Sequence, residues 1–181
     1  MQTLGLSFEQ IAPNIDETPQ LGEAPQALAL RLARTKASDL AAKHPTSLVI
    51  GSDQVGVCKH RLLKKPKTVP QAIELLRQNA GNVATFYTAL VLARSLPNND
   101  LLTTEDVCIT TLKFRELSLE QISRYVIEDQ PLDSAGAFKA ESLGITLFEY
   151  IRADDPSALI GLPLIALTRR LSEFGFDPLS S

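Results

Sequence analysis

No apolar run in the 181-residue sequence is long enough to cross a bilayer, so a transmembrane helix is excluded and no membrane partner is expected. The first residues, "MQTLGLSFEQIAP", lack the charged-then-apolar order of a secretion leader. Cysteine is scarce: Cys58 and Cys108 stand far apart, and no Cys/His spacing suits zinc. A reduced protein with two unpaired thiols fits, and the expected location is the cytoplasm. There is no excess of positive charge. With 18 Lys and Arg against 21 Asp and Glu, the net charge of −3 argues against non-specific nucleic-acid binding. Any phosphate ligand must then be held by local charge. Neither a Walker-type glycine-lysine loop nor a Rossmann glycine fingerprint occurs. Repeats and low-complexity linkers are also missing, and 44% hydrophobic residues suffice for one domain with a real core.

The patterning predicts alternating helices and strands. Leu6, Phe8 and Ile11 predict a short strand ending at Pro13, followed by a polar loop, "NIDETPQLGEAP". Pro25 suits the first turn of a helix running to about Ala42. "TSLVIGSDQVGVCKHRLLKKPKT" reads as an apolar strand, a turn, and a strand pair with a basic tip. Pro70 opens a second helix through "AIELLRQNA", with Gly81 as its left-handed cap. The β-branched runs "VATFYTALVLAR" and "EDVCITTLKFREL" predict neighbouring strands. Ser118 and Gln121 make a capping box for "LEQISRYVIED". "LDSAGAFKAESLG" is a small-residue loop, "ITLFEYI" a strand, and Pro156 to Phe174 a helical region broken near Gly161 and Pro163 and capped at Gly175. Helices alternating with strands, some of them consecutive, favour an α/β fold with a mixed sheet.

Several charged side chains admit two readings. Asp16 and Glu17 either form a solvated acidic turn or share a cation, since adjacent carboxylates repel. Lys36 lies on a helical stripe with Leu28, Leu32 and Leu40; it either snorkels past the core edge or points into a cleft. Asp53 follows "LVIGS", at what reads as a strand's carboxyl end, where ligands gather in open α/β sheets. It is either a turn aspartate bonded to its own backbone or a site residue, and Gly51 permits a sharp turn or close approach. Lys65, in the basic stretch "KHRLLKKPKT", is either solvated or aimed by the stiff Pro66 beside it. His44 and His60 have no partner pattern and are expected at the surface. Together these acids and lysines suit hydrolysis of a nucleotide phosphoanhydride, which needs a carboxylate-bound divalent metal, cations on the phosphates and a base that positions water.

The stretches "DETP" (16–19), "RLARTKA" (31–37), "VIGSDQV" (49–55), "KKP" (64–66), "NAGNVATFYTALVL" (79–92), "DSAGAFKAESLGITLFE" (133–149) and "LIGLPLIAL" (159–167) occur in the order of one family. Across nearly the whole chain the sequence resembles the Maf family of nucleoside triphosphate pyrophosphatases. The resemblance implies an elongated, twisted mixed sheet flanked by helices, with two lobes and a central cleft, in a single domain over residues 1–181. Gln after "GSD", together with "FKAE", resembles the branch acting on 7-methyl-GTP. The implied roles are Asp53 as the base for water, Glu17 and Asp53 as holders of a divalent cation (Mg²⁺ or Mn²⁺), Lys36 and Lys65 on the phosphates, and Glu141 with Gln54 as selectors of the base. A carboxylate at Glu141 could accept both guanine donors, N1–H and the exocyclic amine, and methylation at N7 makes the ring cationic. A dTTP/UTP-type pyrophosphatase, or an impaired nucleotide-binding or regulatory protein, is the alternative; a homodimer is also implied. Family members begin with a strand and a Ser/Arg-rich loop, "SxSPRR"-like, that contacts phosphates, and no such motif occurs here. The expectation is an N-terminally truncated domain, with a start codon upstream or an impaired protein.

Overall fold

The computed structural model describes residues 1–98 and 100–180. Its sheet has the order β2-β1-β3-β4-β5, with β1 at Val49–Cys58, β2 at Arg61–Leu63, β3 at Val83–Ser95, β4 at Leu101–Phe114 and β5 at Phe148–Ala153. Four α-helices flank it: α1 (Pro25–Lys43), α2 (Val69–Asn79), α3 (Leu119–Asp129) and α4 (Leu164–Glu173). The α/β class is as expected. The pairings differ in one respect: all are antiparallel where a mixed sheet was expected. Short turns join β1 to β2 and β3 to β4; α2 and α3 lie in the two longer connections, β2 to β3 and β4 to β5, and the strands that follow them also pair antiparallel with their neighbours.

Ser118 with Gln121 forms the full capping box of α3, as expected, and Thr68, which the sequence reading did not single out, receives the Gln71 amide at the start of α2. The β1–β2 turn is built on Lys59 and His60, both at positive φ (50° and 62°), the geometry of a two-residue primed hairpin turn. Residues 6–24 form no strand, against the expectation for Leu6 to Ile11. That segment leaves Phe8 and Ile11 exposed, so its apolar residues have no sheet to join.

Three apolar clusters hold the layers together. On one face of the sheet, Phe86, Phe114, Phe138 and Phe148 pack under α2 and α3 with ring centroids 4.9–5.9 Å apart. Farther along the same face, Leu90 and Leu92 meet Leu167 and Leu171 of α4. The opposite face carries α1. Ala29, Ala33, Ala37 and Ala41, all fully buried, make a four-residue-spaced stripe of minimal side chains against Ala89, Val91 and Ala93. A stripe this flat lets the helix axis come close to the strands.

Gly51 takes the approach to its limit. A Cβ there would lie 2.4 Å from the Ala33 carbonyl oxygen and 2.8 Å from the Ala37 amide nitrogen. Gly51→Ala is therefore expected to push α1 off β1 and to cost about 3 kcal/mol, the upper end of common overpacking penalties. Urea unfolding of the two proteins measures this; a loss below about 1 kcal/mol would show that the helix yields freely.

Candidate functional site

Asp53 is not past the end of a strand. β1 runs unbroken through Gly51, Ser52 and Asp53, and Asp53 pairs with Ala89 in the middle of the ladder. Alternation then places Gly51, Asp53 and Val55 on the α1 face, and Ser52 and Gln54 on the other. One pleat beyond the point where Gly51 admits α1, the carboxylate of Asp53 meets the next side chain of the helix. Lys36 Nζ donates to Asp53 Oδ1 at 2.5 Å and contacts Glu17 Oε1 at 2.9 Å. Asp53 and Lys36 are largely covered, with side chains 12% and 19% exposed, while Glu17 is 61% exposed.

The paired acids of the "DET" stretch part company. Asp16 turns back to accept the Thr18 amide at 2.9 Å, a local turn. Glu17 reaches across to Lys36. Asp16 thus follows the turn reading, and Glu17 pairs with a lysine rather than sharing a cation with Asp16. Lys36, on the helix that carries the alanine stripe, turns toward the Asp53 and Glu17 carboxylates.

Burial lifts the Asp53 carboxyl above its ordinary range; the hydrogen bond and charge of Lys36 offset this only in part, while the negative charge of Glu17 adds to it. Burial presses the Lys36 ammonium down, but Asp53 and Glu17 together carry it above the usual lysine range. The exposed Lys65 is near enough for its charge to be felt by both Asp53 and Asp133. The loop holding Asp133 is tied to Lys65's neighbour, since the Gly136 amide donates to the Lys64 carbonyl at 3.2 Å.

Gln54 and Glu141 are placed differently. Gln54 Nε2 donates to Thr88 Oγ1 (3.0 Å), the Ala158 carbonyl (2.9 Å) and the Leu159 carbonyl (3.2 Å), holding the short 3-10 helix Pro156–Ile160 to the sheet face opposite Asp53. Glu141 is exposed and makes no hydrogen bond or ion pair with the Asp53 group among the described residues. Its backbone is bracketed by α3: the Lys139 amide donates to Tyr125 Oη at 3.1 Å, and Ser142 Oγ to Asp129 at 2.8 Å. Cavities of about 210 and 700 Å³ lie elsewhere, lined by none of Glu17, Lys36, Asp53, Lys65 or Glu141. The larger follows Leu48 to Ile50 beside the N-terminal segment.

Two contributors escaped the sequence reading. Arg31 and Glu23 pair bidentately at 2.7 and 2.9 Å beside Glu17. Asp155, 3% exposed, accepts the Ile165 and Ala166 amides and so caps α4. "DDPSA" carries a capping signal for Asp155, whereas nothing in the spacing of Glu23 and Arg31 announces their pairing across a loop.

Glu17 and Asp53 both contact the Lys36 ammonium, at 2.9 and 2.5 Å, and are the carboxylates here that could hold a divalent cation. Among the described residues no third Asp, Glu, His or Cys completes a cluster with them. That hard, two-oxygen donor set fits Mg²⁺ or Mn²⁺ of the kind that draws its remaining ligands from substrate phosphates and water. No helix of the described residues is long and apolar enough to cross a membrane.

Comparison with known proteins agrees on one family. The family described as Maf-like protein matches residues 1–174. A protein of Bordetella avium named 7-methyl-GTP pyrophosphatase is 47% identical over 181 residues, 100% of this chain and 89% of its own. One of the same name from Bordetella pertussis is 48% identical, covering 99% and 88%. Another, from Nitrosococcus oceani, is 46% identical over 176 residues, covering 97% and 87%.

Carbon-13 NMR titration of the Asp53 carboxyl is expected to give a pKa above the ordinary 3.8. Glu17→Gln removes a nearby negative charge and should lower it. Lys36→Met removes the offsetting hydrogen bond and positive charge and should raise it further. Opposite signs would refute this electrostatic account.

Proposed function

The chain belongs to the Maf family, and on that footing we propose that it is a pyrophosphatase hydrolysing 7-methyl-GTP to 7-methyl-GMP and pyrophosphate. The observation that carries this reading is the convergence of Asp53, Lys36 and Glu17, drawn from β1, α1 and the loop before α1, on one half-buried point. The relatives' names supply the substrate.

In the proposed reaction a water oxygen bonds to the α-phosphorus while the bond from that phosphorus to the bridging α–β oxygen breaks. Pyrophosphate leaves with the electron pair. Asp53 takes the water's proton. Its carboxylate is fixed by the sheet on one side and Lys36 on the other, and a raised pKa makes it the better base near neutrality. Oδ2 accepts no hydrogen bond from the described residues, which leaves that oxygen available to a water. Lys36 has three N–H donors, of which the two carboxylates take two, so one remains for a phosphate oxygen. Lys65 supplies a second, more mobile positive charge. Glu17 and Asp53 would hold the divalent cation, which neutralises triphosphate charge and makes the attacking water more acidic.

Base selection falls to Glu141, whose carboxylate would accept from the two donors of the guanine edge. Gln54, with its amide nitrogen committed to Pro156–Ile160, contributes by fixing that segment and, through Oε1, as an acceptor. A cytoplasmic setting accords with the free thiols of Cys58 and Cys108.

Pyrophosphate release from 7-methyl-GTP, GTP, dTTP and UTP, with Mg²⁺ or Mn²⁺, tests the assignment. Methylated GTP is expected to be cleaved best; cleavage of dTTP or UTP alone would overturn it. Asp53→Asn is expected to lower kcat about 10²–10⁴-fold, as for loss of a general base, with the circular dichroism spectrum preserved. Glu141→Gln should cut the preference for 7-methyl-GTP over dTTP roughly tenfold or more and leave the dTTP rate nearly unchanged.

A further inference from the structure

Glu17 poses a problem of order. Its side chain is the most exposed of the three that converge, and it sits on a loop, residues 13–24, that belongs to no strand or helix. A carboxylate on a loose loop would be a poor cation ligand, because its backbone would have to be ordered at each binding event. The loop is not loose at that point. Arg31, on α1, donates from Nε to Glu23 Oε1 at 2.7 Å and from Nη2 to Glu23 Oε2 at 2.9 Å. The same Nη2 also donates to the Thr18 carbonyl at 3.0 Å. Glu23 Oε2 in turn receives the Gln20 amide at 3.0 Å. The Glu23 side chain is only 8% exposed despite the loop's exposure.

Two cations of one helix therefore grip successive loop residues: Lys36 takes the Glu17 carboxylate, and Arg31 takes the Thr18 carbonyl. Glu23 completes the arrangement by orienting the guanidinium, whose fork matches a carboxylate as an ammonium cannot. The positive charge of Arg31 also reaches Asp16 and Asp53.

We propose that the Arg31–Glu23 pair is a positioning clamp that fixes the backbone at Glu17–Thr18 and so presents Glu17 to the divalent cation shared with Asp53. The inference rests on the pyrophosphatase reading for its purpose, but the clamp itself can be read without turnover. Arg31 and Glu23 are positioning residues; neither is assigned contact with substrate or metal.

The test uses the full chain and the variants Arg31→Gln, Arg31→Lys and Glu23→Gln, alone and combined with Glu17→Gln. Three readouts are taken: the side-chain carbon-13 resonance of Glu17, Mn²⁺ binding by electron paramagnetic resonance, and kcat and KM at varied metal. In Arg31→Gln and Glu23→Gln the Glu17 resonance is expected to move toward that of a solvated glutamate. Mn²⁺ affinity should fall about tenfold, and the metal concentration for half-maximal rate should rise by the same factor. Arg31→Lys should recover part of the loss at most, since a lysine cannot serve both Glu23 oxygens and the Thr18 carbonyl. In the Glu17→Gln background, Arg31→Gln should add no further loss of Mn²⁺ affinity, because it acts through the missing carboxylate. An unmoved Glu17 resonance, unchanged Mn²⁺ affinity, or losses that simply add in the double variant would overturn the clamp. If the unsubstituted protein cleaves no nucleotide, the pyrophosphatase reading fails by itself, and the resonance and Mn²⁺ results still decide the clamp.

Discussion

The site depends on how near α1 comes to β1. Four buried alanines and a glycine bring helix backbone and strand backbone into direct contact, and no residue larger than glycine fits at position 51. A lysine side chain spans only a few bonds. With a bulkier interface, Lys36 Nζ would stand short of Asp53, and a carboxylate that is only 12% exposed would be left unpaired in a poorly solvated place. Breaking such a pair when it is fully buried costs several kcal/mol. The small residues and the charged pair are parts of one device: the flat stripe sets the distance, and the ion pair makes that distance tolerable.

The other face of β1 shows the same economy with neutral groups. Ser52 Oγ bonds the Ala89 and Gly161 carbonyls, and Gln54 and Thr88 bond the Ala158 carbonyl. The chain from Pro156 to Gly161 is thereby fastened across the sheet between the aromatic cluster and the α4 cluster. Asp155 then caps α4. Successive residues of one strand, Ser52, Asp53 and Gln54, thus serve opposite sides, and only the middle one meets charge. An aspartate in a central ladder position is rigid, and a site built on it inherits that rigidity.

Much of this was legible in the sequence because it is local. The α3 capping box, proline-led helix starts, the paired β-branched runs and the break before α4 all depend on residues within a few positions of each other, and they appear where the pattern places them. Asp53 was misjudged at the same level: a Gly-Ser-Asp run looks like a turn, yet hydrogen bonds to Ala89 and its neighbours carry the strand through it, tertiary pairing overriding a weak local preference. Leu6, Phe8 and Ile11 mislead in the opposite direction, since alternating apolar residues make a strand only where a partner edge accepts them. The convergence of Glu17, Lys36 and Asp53 rested on resemblance and chemistry, not on spacing. The Glu23–Arg31 pair was invisible, because a long-range contact between two ordinary surface residue types leaves no periodic trace.

The proposed reaction asks one aspartate to be both largely buried and reactive, and the resting arrangement accommodates both. Lys36 offsets part of the burial that raises the Asp53 pKa, and does so through Oδ1, while the second oxygen accepts no hydrogen bond from the described residues. Two carboxylates against one ammonium leave the group of three with a net negative charge, which by itself repels a polyphosphate. A divalent cation arriving with the proposed nucleotide would reverse that sign, and Lys65 would add to it from the surface. In the proposed reaction the site's own charge would then work as a filter, favouring a polyanion that arrives together with a divalent cation.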